Sequence, residues 1–146
     1  MLSFFSEQAK YIEKVLFSEL AVSALRRHNL RVGTPFSFQG EERDHMIISC
    51  CIDAQTPSGS YTYLDRDDVF NVAITRARDL QTLFLSCQPE EIKENSQLRN
   101  YVNYCADYSA DFATNDTLKR DAFQDEISVW LEGKGVTVYK LSLIHI

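Results

Sequence analysis

At 146 residues and 16.8 kDa the chain has room for one domain and a small appendage, and its 45% hydrophobic and 12% aromatic content fits a packed core. A net charge of −6 and a pI of about 5.0 exclude a global basic field, so any nucleic-acid contact has to be local. No apolar run approaches transmembrane length and no signal peptide opens the chain, which excludes a membrane partner and implies a cytoplasmic protein.

Leu2 to Phe5 reads as the last residues of a strand, and Ser6 is placed to cap the helix after it. Ile12, Val15 and Leu16 give that helix a face to bury, with Glu7, Lys10, Glu13 and Lys14 solvated. A second helical stretch is expected from about Ser18 to His28. Leu30 to Thr34 reads as a short strand that Pro35 breaks, and Ser37 to Asp44 as a polar turn around Gly40. The apolar run His45 to Ile52 suits a buried parallel strand. Asp53 to Ser60 reads as a loop, and Asp65 to Asp68 leads into a helix that contains Asn71 to Arg78. A strand over Thr82 to Ser86, a short turn at Pro89 to Glu91 and a helix marked by Leu98, Tyr101, Val102 and Cys105 follow. Ser109 to Thr117 is small and polar and reads as a linker. Phe123, Ile127, Trp130 and Leu131 form an amphipathic helix, and Val136 to Ile146 reads as a strand. Strands alternating with helices imply a three-layer α/β/α fold with a mostly parallel sheet.

Cys50, Cys51, Cys87 and Cys105 form no C-x-x-C pair, and His28, His45 and His145 do not cluster with them, so no metal site is expected. Cys50, Cys51 and Cys87 end apolar runs and read as buried free thiols.

The whole chain turns on the stretch from Phe70 to Arg78. Phe70, Ala73, Ile74 and Ala77 make a buried helical stripe, and Arg76 and Arg78 sit beside the end of that helix. Two readings fit. Arginines favour a helix C-terminus for dipole reasons alone. Two fixed guanidinium groups beside a buried strand also suit a polyphosphate.

Val32 to Asp44 and Asn71 to Arg78, with Ser3 to Gln8 upstream, closely resemble three signature motifs in their family order. They are motifs V, VI and IV of superfamily 1B helicases, an AAA-type group that includes the nonsense-mediated-decay RNA helicase and its bacterial relatives. The resemblance covers about Leu2 to Cys105 and implies a RecA-like fold, the second such domain of an ATP-dependent DNA or RNA motor, incomplete at both ends. It makes Arg76 the arginine that meets the γ-phosphate of ATP, and Glu42 an acid near the ribose. Gln39 and Gly40 become a hinge-like turn between nucleotide and strand. Arg78 stands beside the nucleotide or pairs with Glu41, Glu42 or Asp79. Thr34, Ser37 and Ser3 match positions that bond nucleic-acid phosphates, or else end a strand and cap helices. Val69 stands where relatives often carry a basic residue, and Phe4 where they often carry proline.

No G-x-x-x-x-G-K-[ST] occurs, so the chain has no phosphate-cradling loop and should not hydrolyse ATP alone. ATP and Mg would be shared with a missing N-terminal RecA-like half, and the strand would be single-stranded DNA or RNA. The alternative is a degenerate RecA-like domain kept as a non-enzymatic interaction module. The tail resembles the opening helix and strand of restriction-endonuclease-like domains, with Glu126 as the helix acid. The expected organisation is therefore a partial RecA-like domain over 1–108, a linker over 109–117 and the start of a second domain over 118–146.

Overall fold

The computed structural model describes residues 1–112, Val129 and residues 137–142. Four strands form one sheet in the order β1 (Leu2–Ser3), β2 (Arg43–Cys50), β3 (Ala77–Leu85) and β4 (Thr137–Ser142). The first three are mutually parallel and β4 runs antiparallel to β3. Parallel neighbours need helical crossovers, and the chain provides them. Helices α1 (Ser6–Glu19) and α2 (Val22–Arg27) separate β1 from β2, and α3 (Ser58–Leu64) and α4 (Asp67–Ile74) separate β2 from β3. After β3 comes α5 (Gln97–Phe112). The protein is an α/β fold with helices on a parallel sheet, as its alternating elements imply.

Period-two alternation sends the side chains of β2 to opposite faces. Met46, Ile48 and Cys50 join Leu83 and Leu85 in the main core, against Tyr61 and Leu64 of α3, Val69, Phe70 and Ala73 of α4, and Leu98 and Val102 of α5. Ser49 points to the other face, where Gln8 of α1 donates to its hydroxyl at 2.8 Å. Helices therefore lie on both sides of the sheet.

Several elements differ from their expected form. Ser6 is the first residue of α1 and makes no cap bond, the cap position being Phe5. The face of α1 is shallower than its periodicity suggests: Ala9 is buried while Ile12, Val15 and Leu16 are half-buried. Leu30 to Thr34 makes no strand beyond a single bridge from Gly33 to Leu2. β2 starts two residues early, at Arg43, because the polar Arg43–His45 end extends the ladder beside β3. Cys51 lies past its end and is exposed; Cys50, Cys87 and Cys105 are buried. Burial pushes the Cys105 thiol up to about 12 and raises Cys50 as well, so both stay protonated.

The expected linker begins inside α5, which reaches Phe112, and residues 113–117 lie outside the described residues. So do the amphipathic helix of the tail, apart from Val129, and Glu126. The strand expected past Val136 is present as β4, and all six of its residues pair with Leu80 to Leu85 of β3. Ending the chain after Phe112 would remove that partner and leave an edge beside Leu83, Phe84 and Leu85 unpaired. The shortened chain should melt on the order of 10 °C lower, since each kcal/mol moves the midpoint by about 4 °C in a domain of this size. Equal melts for 1–112 and the full chain would make the 1–108 unit self-sufficient, with the tail a separate domain.

Candidate functional site

Because β2 and β3 are parallel, the loop leading into β2 and the turn leading into β3 meet at the same end of the sheet. That places Val32–Asp44 against Asn71–Arg78 across 35 residues of sequence. Arg43 donates its backbone N–H to the carbonyl of Arg76 at 2.9 Å, and the guanidinium of Arg76 donates to the carbonyl of Glu41 at 3.3 Å.

The helix ends before the arginines. Helix α4 stops at Ile74, and Ala77 begins β3 instead of extending the buried stripe. Side chains end the helix. The last carbonyls of a helix lack intrahelical donors. Here the Asn71 carbonyl still accepts the Thr75 N–H at 3.2 Å and takes its hydroxyl as well at 2.7 Å, and the next carbonyl, that of Val72, accepts from Arg76 Nε at 2.9 Å. Arg76 Nη2 donates to the Thr75 hydroxyl at 2.7 Å. The ladder then shifts between Ala77 and Leu80, where two residues of β3, Arg78 and Asp79, oppose Asp44 alone.

The four arginines at this edge differ in compensation. Arg78 pairs with Glu42 at 3.2 Å and Asp44 at 3.5 Å, not with Glu41 or Asp79. Arg43 and Arg31 both pair with Glu41. The Arg31 hydrogen bond, more than any other cause, holds the Glu41 carboxyl below the usual range. Arg76 is half-buried and bonds to neutral oxygens, and no carboxylate pairs with it among the described residues. Of the four, its charge is the one that no carboxylate offsets among the described residues. A neutral acceptor set also holds the guanidinium in a defined place, which suits a fixed cation.

The loop around β2 is anchored by Phe38, fully buried at the end of a 3-10 turn over Pro35–Phe38. The side chain of Gln39 is exposed and free of hydrogen bonds to the described residues. Gly40 has φ +77°, the left-handed region, with open space where a Cβ would stand. Its glycine serves conformation, not close approach. The Ser37 hydroxyl donates to the Thr34 carbonyl at 2.8 Å. A groove of about 390 Å³ opens beside the loop between His28, Arg31, Phe38, Arg43 and His45.

Ser3 meets this loop at its start and not at the arginine edge. Its N–H donates to the Gly33 carbonyl at 2.9 Å, one residue before Thr34. Its register partner Ser49 lies six residues along β2 from Arg43, roughly 20 Å at strand rise. Ser3 is fully buried and its hydroxyl donates to Gln8 Oε1. The structure thus brings Gln39, Gly40, Glu42, Arg76 and Arg78 to one edge, with Thr34 and Ser37 on the same loop and Ser3 buried against the start of that loop. Three contributors escaped sequence reading. Thr75 sits within a motif stretch without a role. Glu41 is expected at most as a partner of Arg78 and pairs with Arg31 and Arg43 instead, and Arg31 lies one residue before the motif stretch.

Two glycine substitutions test the loop. A Cβ at Gly33 would lie 2.0 Å from Ser37 Oγ and 3.3 Å from Phe38 Cε2. Gly33→Ala should therefore destabilise by about 1–3 kcal/mol, and adding Ser37→Ala should restore part of the loss. Gly40→Ala should cost about 1–2 kcal/mol through its dihedral alone, with no such rescue. Urea unfolding of the variants separates the two cases.

Residues 1–104 match the protein family described as AAA domain. No curated protein matches the chain. Among the described residues no helix is long and apolar enough to cross a membrane.

Proposed function

The chain belongs to that AAA-domain family, and from this premise we propose that it is the second RecA-like half of a superfamily 1B nucleic-acid helicase. The supporting observation is Arg76: among four arginines at one sheet edge it alone lacks a carboxylate partner among the described residues, at the position the motif gives to the γ-phosphate. Charge developing on a transferred phosphoryl group needs a fixed, non-titrating cation, and a guanidinium meets that need.

The residues present fit one wall of a nucleotide site only. Glu42 and Asp44 are both engaged by Arg78, which leaves no spare carboxylate pair for Mg here. ATP and Mg would be held jointly with a P-loop half, and when bound they supply the phosphoryl group and its charge-neutralising ion. Arg78 braces the edge, while Gln39 and Gly40 carry the turn between Arg76 and the strand-facing loop. Thr34 and Ser37 offer hydroxyl and backbone groups for phosphates of single-stranded DNA or RNA, contacts that read no sequence. Ser3 stands beside the start of that loop, its N–H on the Gly33 carbonyl and its hydroxyl on Gln8.

The test is ATP hydrolysis with and without single strand, for the chain alone and joined to a P-loop-bearing helicase half. Turnover is expected from the joined protein only, and it should rise with single strand. Mg-dependent hydrolysis by the chain alone would overturn the proposal, as would a joined protein indifferent to nucleic acid.

A further inference from the structure

We infer that Arg31, which precedes the motif stretch, is the positioning residue of the loop that carries Thr34, Ser37, Gln39 and Gly40. Its guanidinium joins three parts of that loop at once. Nη2 donates to the Ser37 carbonyl at 2.8 Å, Nη1 donates to Glu41 Oε1, and the group lies 5.1 Å from the centre of the Phe38 ring. Phe38 is itself locked in the core.

The other ties inside the loop are local. Ser37, Gln39 and Glu41 donate their N–H groups to Thr34, Phe36 and Phe38, each three residues back. Such bonds shape successive turns but do not join the start of the loop to its end. Arg31 does, across ten residues, and Glu41 passes the connection on. Its second carboxylate oxygen accepts from Arg43 at 3.1 Å and its carbonyl accepts from Arg76.

A planar fork with five donors can address a carbonyl and a carboxylate together while its face rests on a ring. An ammonium cannot. The Arg31 and Glu41 side chains are about two-fifths exposed, so the ion pair by itself stabilises little. What the arrangement provides is order in the loop, not global stability. Two of its five donors hold Ser37 and Glu41, and that places Arg31 as a shaper of the strand-facing surface, not as a phosphate contact. The loop ordering stands on these contacts, whereas its consequence for strand binding rests on the proposed function.

The experiment uses the full 146-residue chain with Arg31→Lys, Arg31→Ala and Glu41→Gln. Amide exchange at Gln39 and Glu41 should quicken about tenfold in all three, with the β2–β3 amides unchanged. Wild-type exchange at those amides in Arg31→Ala, or in Arg31→Lys, would overturn the inference. If Arg31→Ala does not fold, the two conservative variants decide it. The second readout is binding of a fluorescent oligo-dT across a salt series. A positioning residue weakens binding without changing the salt slope, whereas loss of a phosphate contact lowers that slope by about one. A lowered slope would overturn positioning in favour of direct contact. No binding by any protein, wild type included, would sink the proposed function, and amide exchange would still decide the role of Arg31.

Discussion

Arg76→Ala, in a protein that also supplies a P-loop half, should lower ATP turnover by roughly 10³–10⁵-fold, the range a guanidinium at a transferred phosphoryl group contributes elsewhere. Nucleotide affinity should fall far less, because the contact strengthens as charge develops in the transition state. The variant should also lose a little stability, about 1 kcal/mol, since Arg76 satisfies the Val72 and Glu41 carbonyls. A purely surface arginine would not show that cost. Arg76→Lys should recover little of the rate: one ammonium cannot hold three separate acceptors and a phosphate. Arg78→Ala is the control. Its partners Glu42 and Asp44 are exposed, so it should change turnover only slightly. Steady-state hydrolysis with saturating single strand, alongside thermal melts, separates these outcomes. Near-normal turnover in Arg76→Ala with a normal melt would show that this guanidinium faces no phosphate.

What the sequence made legible followed from periodicity and length. The run His45 to Ile52 marked β2 to within two residues, and Leu98, Tyr101, Val102 and Cys105 marked α5 because a 3.6-residue period over two turns has few other readings. Helix α3 was hidden. Pro57, Ser58, Gly59 and Ser60 have turn composition, yet Pro57 takes the cap position, and Tyr61 and Leu64, three apart, are buried. The border between α4 and β3 was hidden for a different reason. Ala77 satisfies a helical stripe and a strand equally well, and the helix ends by capping from Thr75 and Arg76, a side-chain event that hydropathy does not encode. At the site, the resemblance to the helicase motifs pointed to Arg76, Glu42 and Gln39. Which arginine stays uncompensated was unreadable, because it depends on pairings such as Arg78 with Glu42 that span 36 residues. Arg31 escaped because its partners Ser37 and Glu41 become neighbours only once Phe38 is buried.

Phe70→Ala should produce the largest loss of stability, about 3–5 kcal/mol. Phe70 is 4% exposed and joins three elements in the core. Its ring stacks on Phe4, next to β1, with centroids 6.0 Å apart and planes 9° apart. It meets Tyr101 of α5 edge-on at 5.7 Å and 85°. Truncation would remove both aromatic contacts and open a cavity in a close-packed core that can collapse only in part. Against a total stability of roughly 5–15 kcal/mol, that loss is a large fraction. Phe70→Leu keeps most of the volume and should cost under about 1.5 kcal/mol. The effect reaches the site through geometry. Phe70 seats α4 on the sheet, and the last turn of α4 presents the carbonyls that hold Thr75 and Arg76. Phe70→Leu in the joined protein should therefore lower turnover more than its small stability loss implies, while Arg78→Ala does not. Urea unfolding at equal slope for wild type and the two Phe70 variants gives the stability half of the result. A loss below about 1 kcal/mol in Phe70→Ala would mean that the Phe4–Phe70–Tyr101 cluster does not join these three elements.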